Sequence, residues 1–525
     1  MCFFWLLFSL NIPPCFLILH KNKTSVNPFL RPSFTRWFYY LRLMHQAIVY
    51  EPVIGLEVHV QLLTQSKLFC GDSTRFGNAP NTNISAISLA HPGTLPVMNE
   101  EALELAIRLG LAFGCDITHH NYFSRKNYFY PDLPKGYQVT QDTTPICRAG
   151  GVQILVNGKS RIVKLNRIHL EEDAGKSVHD ADDENTCVDL NRAGVPLLEI
   201  VSEPDLFSAE EAFAFVTEIR RMVRYLDVCD GNMEEGSMRC DANISVRPLG
   251  SGKLGTRVEV KNLNSVRNVK RAIEYEVSRL TGIIQNGETV QQQTRSFDAN
   301  NGTTFSLRTK EEANDYRYFP EPDLAPFIVT NARIEKIRSA LPELPGEVEK
   351  RLVNEMGLHP DTARIIADER ALVAYFKNAT QGNLLHKAVA NWLTGPVKAY
   401  LNEQHMDITA FSLSPAKLGA LAGLVEHGKL SFTAASSHVF PALLKEPDRE
   451  PAELAASLNV LLERDDELLN DWVDEVIAGM PDKVESYRKG KKNLVGLFAG
   501  EVKKRSKGKA DMKVVNEILI KKLNQ

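Results

Sequence analysis

The sequence predicts an α+β protein: an N-terminal, mostly antiparallel sheet domain with flanking helices, then a helical domain and an all-helical tail. Three observations carry this. Strand-like alternation recurs through residues 45 to about 330, most clearly at 55–62, 238–246 and 257–263. After about Leu324 helical spacing takes over, broken at Pro342, Pro345, Pro360, Pro396, Pro415 and Pro441. A chain of 525 residues also exceeds one ordinary core, so about three domains are expected. Hydrophobic content of 43%, charge of 24% and a net charge of −3 are ordinary for a globular chain. The eight cysteines are scattered without a CxxC pair, which argues for a reducing compartment and against a disulfide framework.

Residues 1–44 read as an extension outside the fold. Residues 1–19 are apolar but interrupted by Asn11, Pro13 and Pro14, with no Lys or Arg before them, so they suit neither a secretory signal nor a membrane span. Lys21, Lys23, Arg31, Arg36 and Arg42 precede the first acid, Glu51, as in an organellar transit peptide. The simpler reading is a mis-assigned start, with translation beginning at Met44. A cytoplasmic location is expected, and a mitochondrial one only if the extension is a genuine transit peptide. The remaining expected domains are 45–330, 331–381 and 382–525.

In residues 55–62 Leu56, Val58 and Val60 alternate with Glu57, His59 and Gln61, which puts a carboxylate, an imidazole and an amide on one face. Burying such a face is costly unless it is paired or coordinated. Residues 100–113 have helical apolar spacing and end at Gly114. Residues 125–138 interleave Arg125, Lys126, Tyr128, Tyr130 and Tyr137 with prolines, a loop able to stack on a base and hold phosphate. Residues 152–156 and 160–165 flank Asn157-Gly158 as a hairpin, and a following strand carries His169, Glu171, Glu172 and Asp173.

Glu199 and Glu203 share a face of the next strand unit. Residues 208–226 are an amphipathic helix with a Ser cap. Arg239, Asp241, Asn243 and Ser245 line one face of a further strand. Glu259 and Lys261 repeat the design before a helix over 266–280. Three strands with polar faces predict a sheet with a functional concave side. Short helices are expected at 348–355, 361–368 and 371–376. Between Lys483 and Lys522 thirteen Lys/Arg face four Asp/Glu, with 503–509 read as a basic loop suited to a phosphate backbone.

No GxSxG, HExxH, P-loop or Rossmann pattern stands in a convincing context. A hard cation such as Mg²⁺ takes oxygen ligands and bridges substrate phosphates. Glu57, Glu172, Asp241 and Glu259, with His59 beside them, are the candidate donors for a phosphate-handling site.

The segments GLEVHVQL, RKNYFYPDLPKGYQ, HLEEDAGK, DLNRAGVPLLEIVSEPD, MRCDANISVR, EVKNLNS and QQTR…YRYFPEPDL occur in this order. From about Val49 to the C-terminus the chain resembles the B subunits of the aspartyl/glutamyl-tRNA(Asn/Gln) amidotransferases, the GatB/GatE family. The resemblance implies a catalytic cradle, a helical domain and a YqeY-like tail that binds tRNA. It implies ATP-dependent amidation of Glu-tRNA(Gln) or Asp-tRNA(Asn) by a glutamine-dependent carbon–nitrogen ligase. The side-chain carboxylate would be phosphorylated with ATP and Mg²⁺, and ammonia would arrive from a separate amidase subunit. A small third subunit completes the expected heterotrimer. This chain holds no recognisable glutaminase nucleophile arrangement.

The resemblance places Glu57, His59, Glu172, Asp241 and Glu259 around Mg²⁺, with Lys126 and Glu171 in the ammonia channel. Tyr128, Tyr130 and Arg239 are placed at the nucleotide or aminoacyl end. Many relatives carry four zinc-type cysteines after the first strand. Here Cys70 is matched by Asp72, Ser85 and Ser88, a poor zinc set, so no zinc is expected. The competing readings are a non-catalytic tRNA-binding adaptor in the same complex, and a stand-alone Mg-dependent kinase or ligase acting on a small acid.

Overall fold

The computed structural model describes residues 48–178, 184–309, 316–382, 384–462, 466–506 and 508–524. The expectation for the N-terminal extension falls outside them. Residues 48–51 and 247–253 belong to a small unit of their own. Within it Arg247 Nε donates to Glu51 Oε1 at 2.8 Å, and the Leu249 N–H donates to the Val49 carbonyl at 2.8 Å.

Among the described residues, thirteen strands join one sheet. The strands that position the site are β1 (Tyr50–Gln61), β2 (Ser124–Asn127), β3 (Tyr137–Thr140), β4 (Gly151–Val156), β5 (Lys159–Glu172) and β6 (Pro196–Ser202). They continue with β7 (Met238–Pro248), β8 (Val258–Leu263), β9 (Gln293–Asp298), β10 (Thr303–Thr309) and β11 (Phe319–Pro320). Their order across the sheet is β10-β9-β8-β7-β1-β6-β5-β3-β2-β11, with β4 paired to β5. β1 with β6, β6 with β5, β3 with β5, β2 with β3, β4 with β5, β7 with β8 and β9 with β10 pair antiparallel, and β8 with β9 run parallel.

Alternation explains both faces of the sheet. Leu56, Val58 and Val60 on β1, Ile168 and Leu170 on β5, Leu198 and Ile200 on β6, and Cys240, Ala242 and Ile244 on β7 are buried as one apolar layer. The β4–β5 hairpin turns at Asn157 (φ 51°) and Gly158 (φ 75°), the two positive angles a two-residue turn of this hand requires. The strand bearing His169 is not a separate element. β5 runs on unbroken from the hairpin to Glu172, fourteen residues in all.

Helices α1 (Glu100–Ala112), α2 (Ala209–Tyr225) and α3 (Val266–Gln285) start at Asn99, Ser208 and Ser265, whose side chains accept backbone N–H groups of the first turn. α2 packs against α3 and β4, burying Phe215, Val216 and Ile219.

Beyond the sheet, α4 (Asn331–Ser339), α5 (Pro345–Asn354), α6 (Pro360–Ala367) and α7 (Arg370–Ala379) follow the proline-punctuated pattern. Pro345 and Pro360 open their helices at the position where a missing N–H costs nothing. One apolar cluster runs from Val348 to Ala455, and a second from Leu469 to Leu523. The expected division at residue 382 falls inside the first. In the tail, α8 (Val495–Arg505) and α9 (Met512–Leu523) pack together. The basic run is therefore not a loop at its start: Lys503, Lys504 and Arg505 form the last turn of α8, where positive side chains suit the helix dipole. Lys507 lies outside the described residues. No helix of the described residues is long and apolar enough to cross a membrane.

Candidate functional site

Directly opposed residues on paired strands share a face. His59 on β1 faces Glu199 on β6, which faces His169 on β5. Gln61 faces Leu197, which faces Glu171, which faces Thr140 on β3. Two residues along β3, Gln138 faces Lys126 on β2. Asn243 on β7 faces Glu259 on β8. The Asn243 side-chain amide donates to Glu57 at 2.9 Å and so joins β7 to β1. One face of the sheet therefore carries a row of polar and ionisable groups from β8 to β2, interrupted at Leu197.

At the β8 end, Glu57, Asp241 and Glu259 bring carboxylate oxygens within 4.8 Å of one another. Burial, and next the Glu199 carboxylate, push the Glu57 carboxyl above its ordinary range. Lys261 Nζ reaches Asp241 at 2.6 Å and Glu259 at 2.8 Å. Burial works against the Lys261 ammonium, but the Asp241 and Glu259 carboxylates more than compensate and hold it charged. Three carboxylates against one ammonium leave an excess of negative charge and several hard oxygens, the donor set of a divalent cation that prefers oxygen. The residues present fit Mg²⁺.

In the middle, His59 Nε2 lies 3.4 Å from Glu199 and 3.6 Å from Glu171. His169 Nε2 lies 3.3 Å from Glu199 and 3.8 Å from Glu171. Its Nδ1 is buried without a hydrogen-bond partner among the described residues. Against the effect of burial, Glu199 and then Glu171 raise the His59 imidazole to about 9. The same groups act in return on Glu199: burial opposes ionisation, but His169 and His59 hold its carboxyl well below the usual range. A proton on His59 balances the Glu199 carboxylate, while burial and then the Glu199 charge push the Glu171 carboxyl above its ordinary range. This mixed nitrogen–oxygen set also groups His59, Glu171 and Glu199 within 4.8 Å as a second place able to hold a metal.

The predicted residues thus divide. Glu57, Asp241 and Glu259 come together. His59 joins Glu171 instead, together with Glu199 and His169, neither of which the sequence had marked for a role. Glu172 belongs to neither group. Neighbours on a strand point to opposite faces, and Glu172 opposes Pro196 on the side of the apolar layer. Its carboxylate takes the Lys135 ammonium on both oxygens, at 2.6 Å for Oε2, and accepts the Val139 N–H at 2.8 Å.

Arg239 donates to Asp173 at 2.9 Å, and Gln61 donates to the same carboxylate at 2.8 Å. Although burial opposes it, Arg239 and then Arg192 keep Asp173 ionised. Lys126 stays charged against burial chiefly through Glu171. Tyr128 and Tyr130 follow Lys126 at the β2 rim of the row, Tyr130 exposed and Tyr128 half-buried. Pairing order is what sequence reading lacked: the strands that meet His59 lie more than a hundred residues away along the chain.

In the loop after β1, Cys70 Sγ donates to Asp72 at 3.2 Å and sits 3.5 Å from the Ser88 hydroxyl, which also donates to Asp72. Hydrogen bonds from Ser88 and Cys70 hold the Asp72 carboxyl low against its partial burial. Burial pushes the Cys70 thiol up, away from the thiolate a zinc site needs.

Residues 52–335 match the family described as the GatB/GatE catalytic domain, and residues 374–523 match the GatB domain. The chain is 47% identical over 476 residues to a protein of Thermodesulfovibrio yellowstonii, covering 91% of this chain and 100% of that relative. It is 48% identical over 475 residues to one of Chlorobium limicola, covering 90% and 99%. It is 48% identical over 478 residues to one of Geobacter sulfurreducens, covering 90% and 99%. All three are named as the B subunit of an aspartyl/glutamyl-tRNA(Asn/Gln) amidotransferase.

Proposed function

The chain belongs to the GatB/GatE family of amidotransferase B subunits, and from this we propose that it activates and amidates the side-chain carboxylate of Glu-tRNA(Gln) or Asp-tRNA(Asn) at the polar face of its sheet. The observation that carries this reading is the row of ionisable groups that starts at Glu57, Asp241 and Glu259. An adaptor needs basic surface for RNA, not three carboxylates gathered on one face.

A carboxylate is a poor acyl donor. Transfer of the terminal phosphoryl group of ATP to it makes an acyl phosphate and releases ADP. Attack of ammonia on that carbonyl then forms the amide and expels phosphate, with one proton of the ammonia lost. Glu57, Asp241 and Glu259 would hold Mg²⁺, which neutralises phosphate charge during transfer. Lys261 keeps the cluster ordered and supplies a fixed positive charge beside it.

Lys126 and Glu171 stand where ammonia delivered by an amidase partner would enter the row. His59, held protonated by Glu171 and Glu199, positions those carboxylates next to the acyl site. The working complex on this reading is a heterotrimer with an amidase and a small third subunit, and the basic end of α8 serves the tRNA body. In this scheme residues 45–330 are the catalytic cradle.

Amide formation on Glu-tRNA(Gln) with ATP, Mg²⁺ and ammonium tests the site. It should require both ATP and Mg²⁺ and should fall at least about a hundredfold in Glu57→Gln. We also propose that the Cys70 loop holds no zinc and is closed by the Asp72 hydrogen bonds instead. Elemental analysis of the purified chain should then find zinc far below one per molecule, and a stoichiometric signal would overturn this.

A further inference from the structure

β9 follows β8 through α3 and lies parallel to it, and the register sets Thr294 against Glu259 and Ser296 against Lys261. Residues opposed in register point to one face, so β9 adds two hydroxyls to the polar face beside the carboxylate cluster. Their neighbours on β9 face the other way: Arg295 reaches Glu276 of α3 at 3.2 Å, and Phe297 is buried.

Thr294 is 2% exposed, and its Oγ1 donates to Glu259 Oε2 at 3.0 Å. The other oxygen, Glu259 Oε1, takes the Lys261 ammonium at 2.8 Å. Both oxygens of this carboxylate are thus held, from two strands, which fixes the plane of the group. A threonine on a strand has few χ1 choices, so the backbone of β9 aims the hydroxyl. Across the cluster Asn243 treats Glu57 in the same way, donating to Oε1 at 2.9 Å.

The charge of these donors separates their effects. Glu57, Asp241 and Glu259 crowd their oxygens within 4.8 Å and repel one another, so each must be held in place before a cation arrives. Lys261 holds two of them by cancelling charge, which weakens the field a cation would meet. A neutral hydroxyl holds an oxygen and leaves the carboxylate its full negative charge.

We propose that Thr294 is a positioning residue of the cation site: its hydroxyl sets the Glu259 carboxylate in the orientation in which, with Glu57 and Asp241, it binds Mg²⁺. The proposal rests on the function proposed above. Thr294 acts through Glu259 and not on the substrate.

The test is binding of Mn²⁺, an oxygen-seeking stand-in for Mg²⁺, to the purified full-length chain, with the free ion counted by electron paramagnetic resonance. Wild type is compared with Thr294→Val, Thr294→Ser, Thr294→Ala and Glu57→Gln. The binding that Glu57→Gln removes is the cluster's. Valine keeps the shape of threonine without the hydroxyl, whereas serine and alanine both lack the methyl and differ in the hydroxyl alone. Groups that orient a metal ligand are worth about tenfold to hundredfold in metal affinity. A loss of that size is expected in the valine and alanine variants, with the serine variant near wild type. Thermal midpoints in chelator read packing separately, and a threonine that served packing alone would move them and leave the affinity of the folded protein where it was.

Equal affinity in wild type and Thr294→Val, or in Thr294→Ser and Thr294→Ala, overturns the proposal. Failure of both hydroxyl-free variants to fold overturns it as well, since the hydroxyl would then serve the fold. Absence of Glu57-dependent binding in wild type counts against the cation site itself, and so against the function proposed for the row. Binding that is lost in Glu57→Gln but indifferent to the hydroxyl counts against Thr294 alone.

Discussion

Glu171 and Glu172 are adjacent carboxylates in different surroundings, because strand geometry sends one to the polar row and the other to the apolar layer. Glu172 balances the Lys135 ammonium in a mostly buried place. Removing it should cost about 3 kcal/mol by stranding that charge, yet leave kcat for amidation near wild type. The checks are a thermal midpoint and steady-state kinetics on Glu172→Ala. A collapse of kcat in a variant of unchanged stability would return Glu172 to the catalytic site.

His59 makes a separate statement about pH. Its folded value of about 9 lies above the ordinary 6.5, so in metal-free protein its ion pairs stabilise fully below about pH 6.5. That contribution fades as pH rises through 9. In the presence of a chelator the thermal midpoint of wild type should drop between pH 6.5 and 9.5, and that of His59→Gln should drop less. Parallel profiles would mean the imidazole is not clamped by Glu199 and Glu171.

At the scale of elements, alternation and caps were legible. The polar faces of β1, β7 and β8 follow from period-two spacing, and Asn99, Ser208 and Ser265 announce their helices. Pairing was not legible. Nothing local to His169 or Glu199 says that β6 lies between β1 and β5, so the histidine–carboxylate cluster is visible only once the sheet is closed. The parallel pairing of β8 with β9, which sets Thr294 beside Glu259, was equally hidden.

The same limit applies to Arg221. Helical periodicity on α2 marks a buried face, and an arginine on it has no evident purpose in the sequence. In the fold Arg221 is buried and reaches Glu349 at 2.6 Å and Asp368 at 2.9 Å, on α5 and just past α6, with Glu218 at 3.6 Å. Three carboxylates hold the guanidinium charged against its burial. Arg221→Ala should lower stability by about 2 kcal/mol, below the usual cost of breaking a buried pair because Asp368 is more than half exposed. Thermal unfolding reads this directly. An unchanged midpoint would mean that solvent replaces the arginine without loss.

For the whole molecule, the transition from sheet to helices was clear from composition, whereas the packing of the helical part was not. A single apolar cluster from Val348 to Ala455 joins helices on both sides of residue 382, because contacts between helix faces ignore the prolines that punctuate the chain. The cluster from Leu469 to Leu523 gives the tail its own core under the basic end of α8. With chemistry proposed for the sheet and RNA binding for the tail, a lesion in the row should abolish amide formation while RNA still binds.

The most direct test is amide formation on Glu-tRNA(Gln) by wild type and Glu57→Gln in the presence of ATP, Mg²⁺ and ammonium, with tRNA affinity measured on the same preparations. The expected result is ATP- and Mg²⁺-dependent amide from wild type, its loss in Glu57→Gln, and equal tRNA affinity in both. Undiminished amide formation by Glu57→Gln would contradict the proposed site and place the reaction away from the polar row.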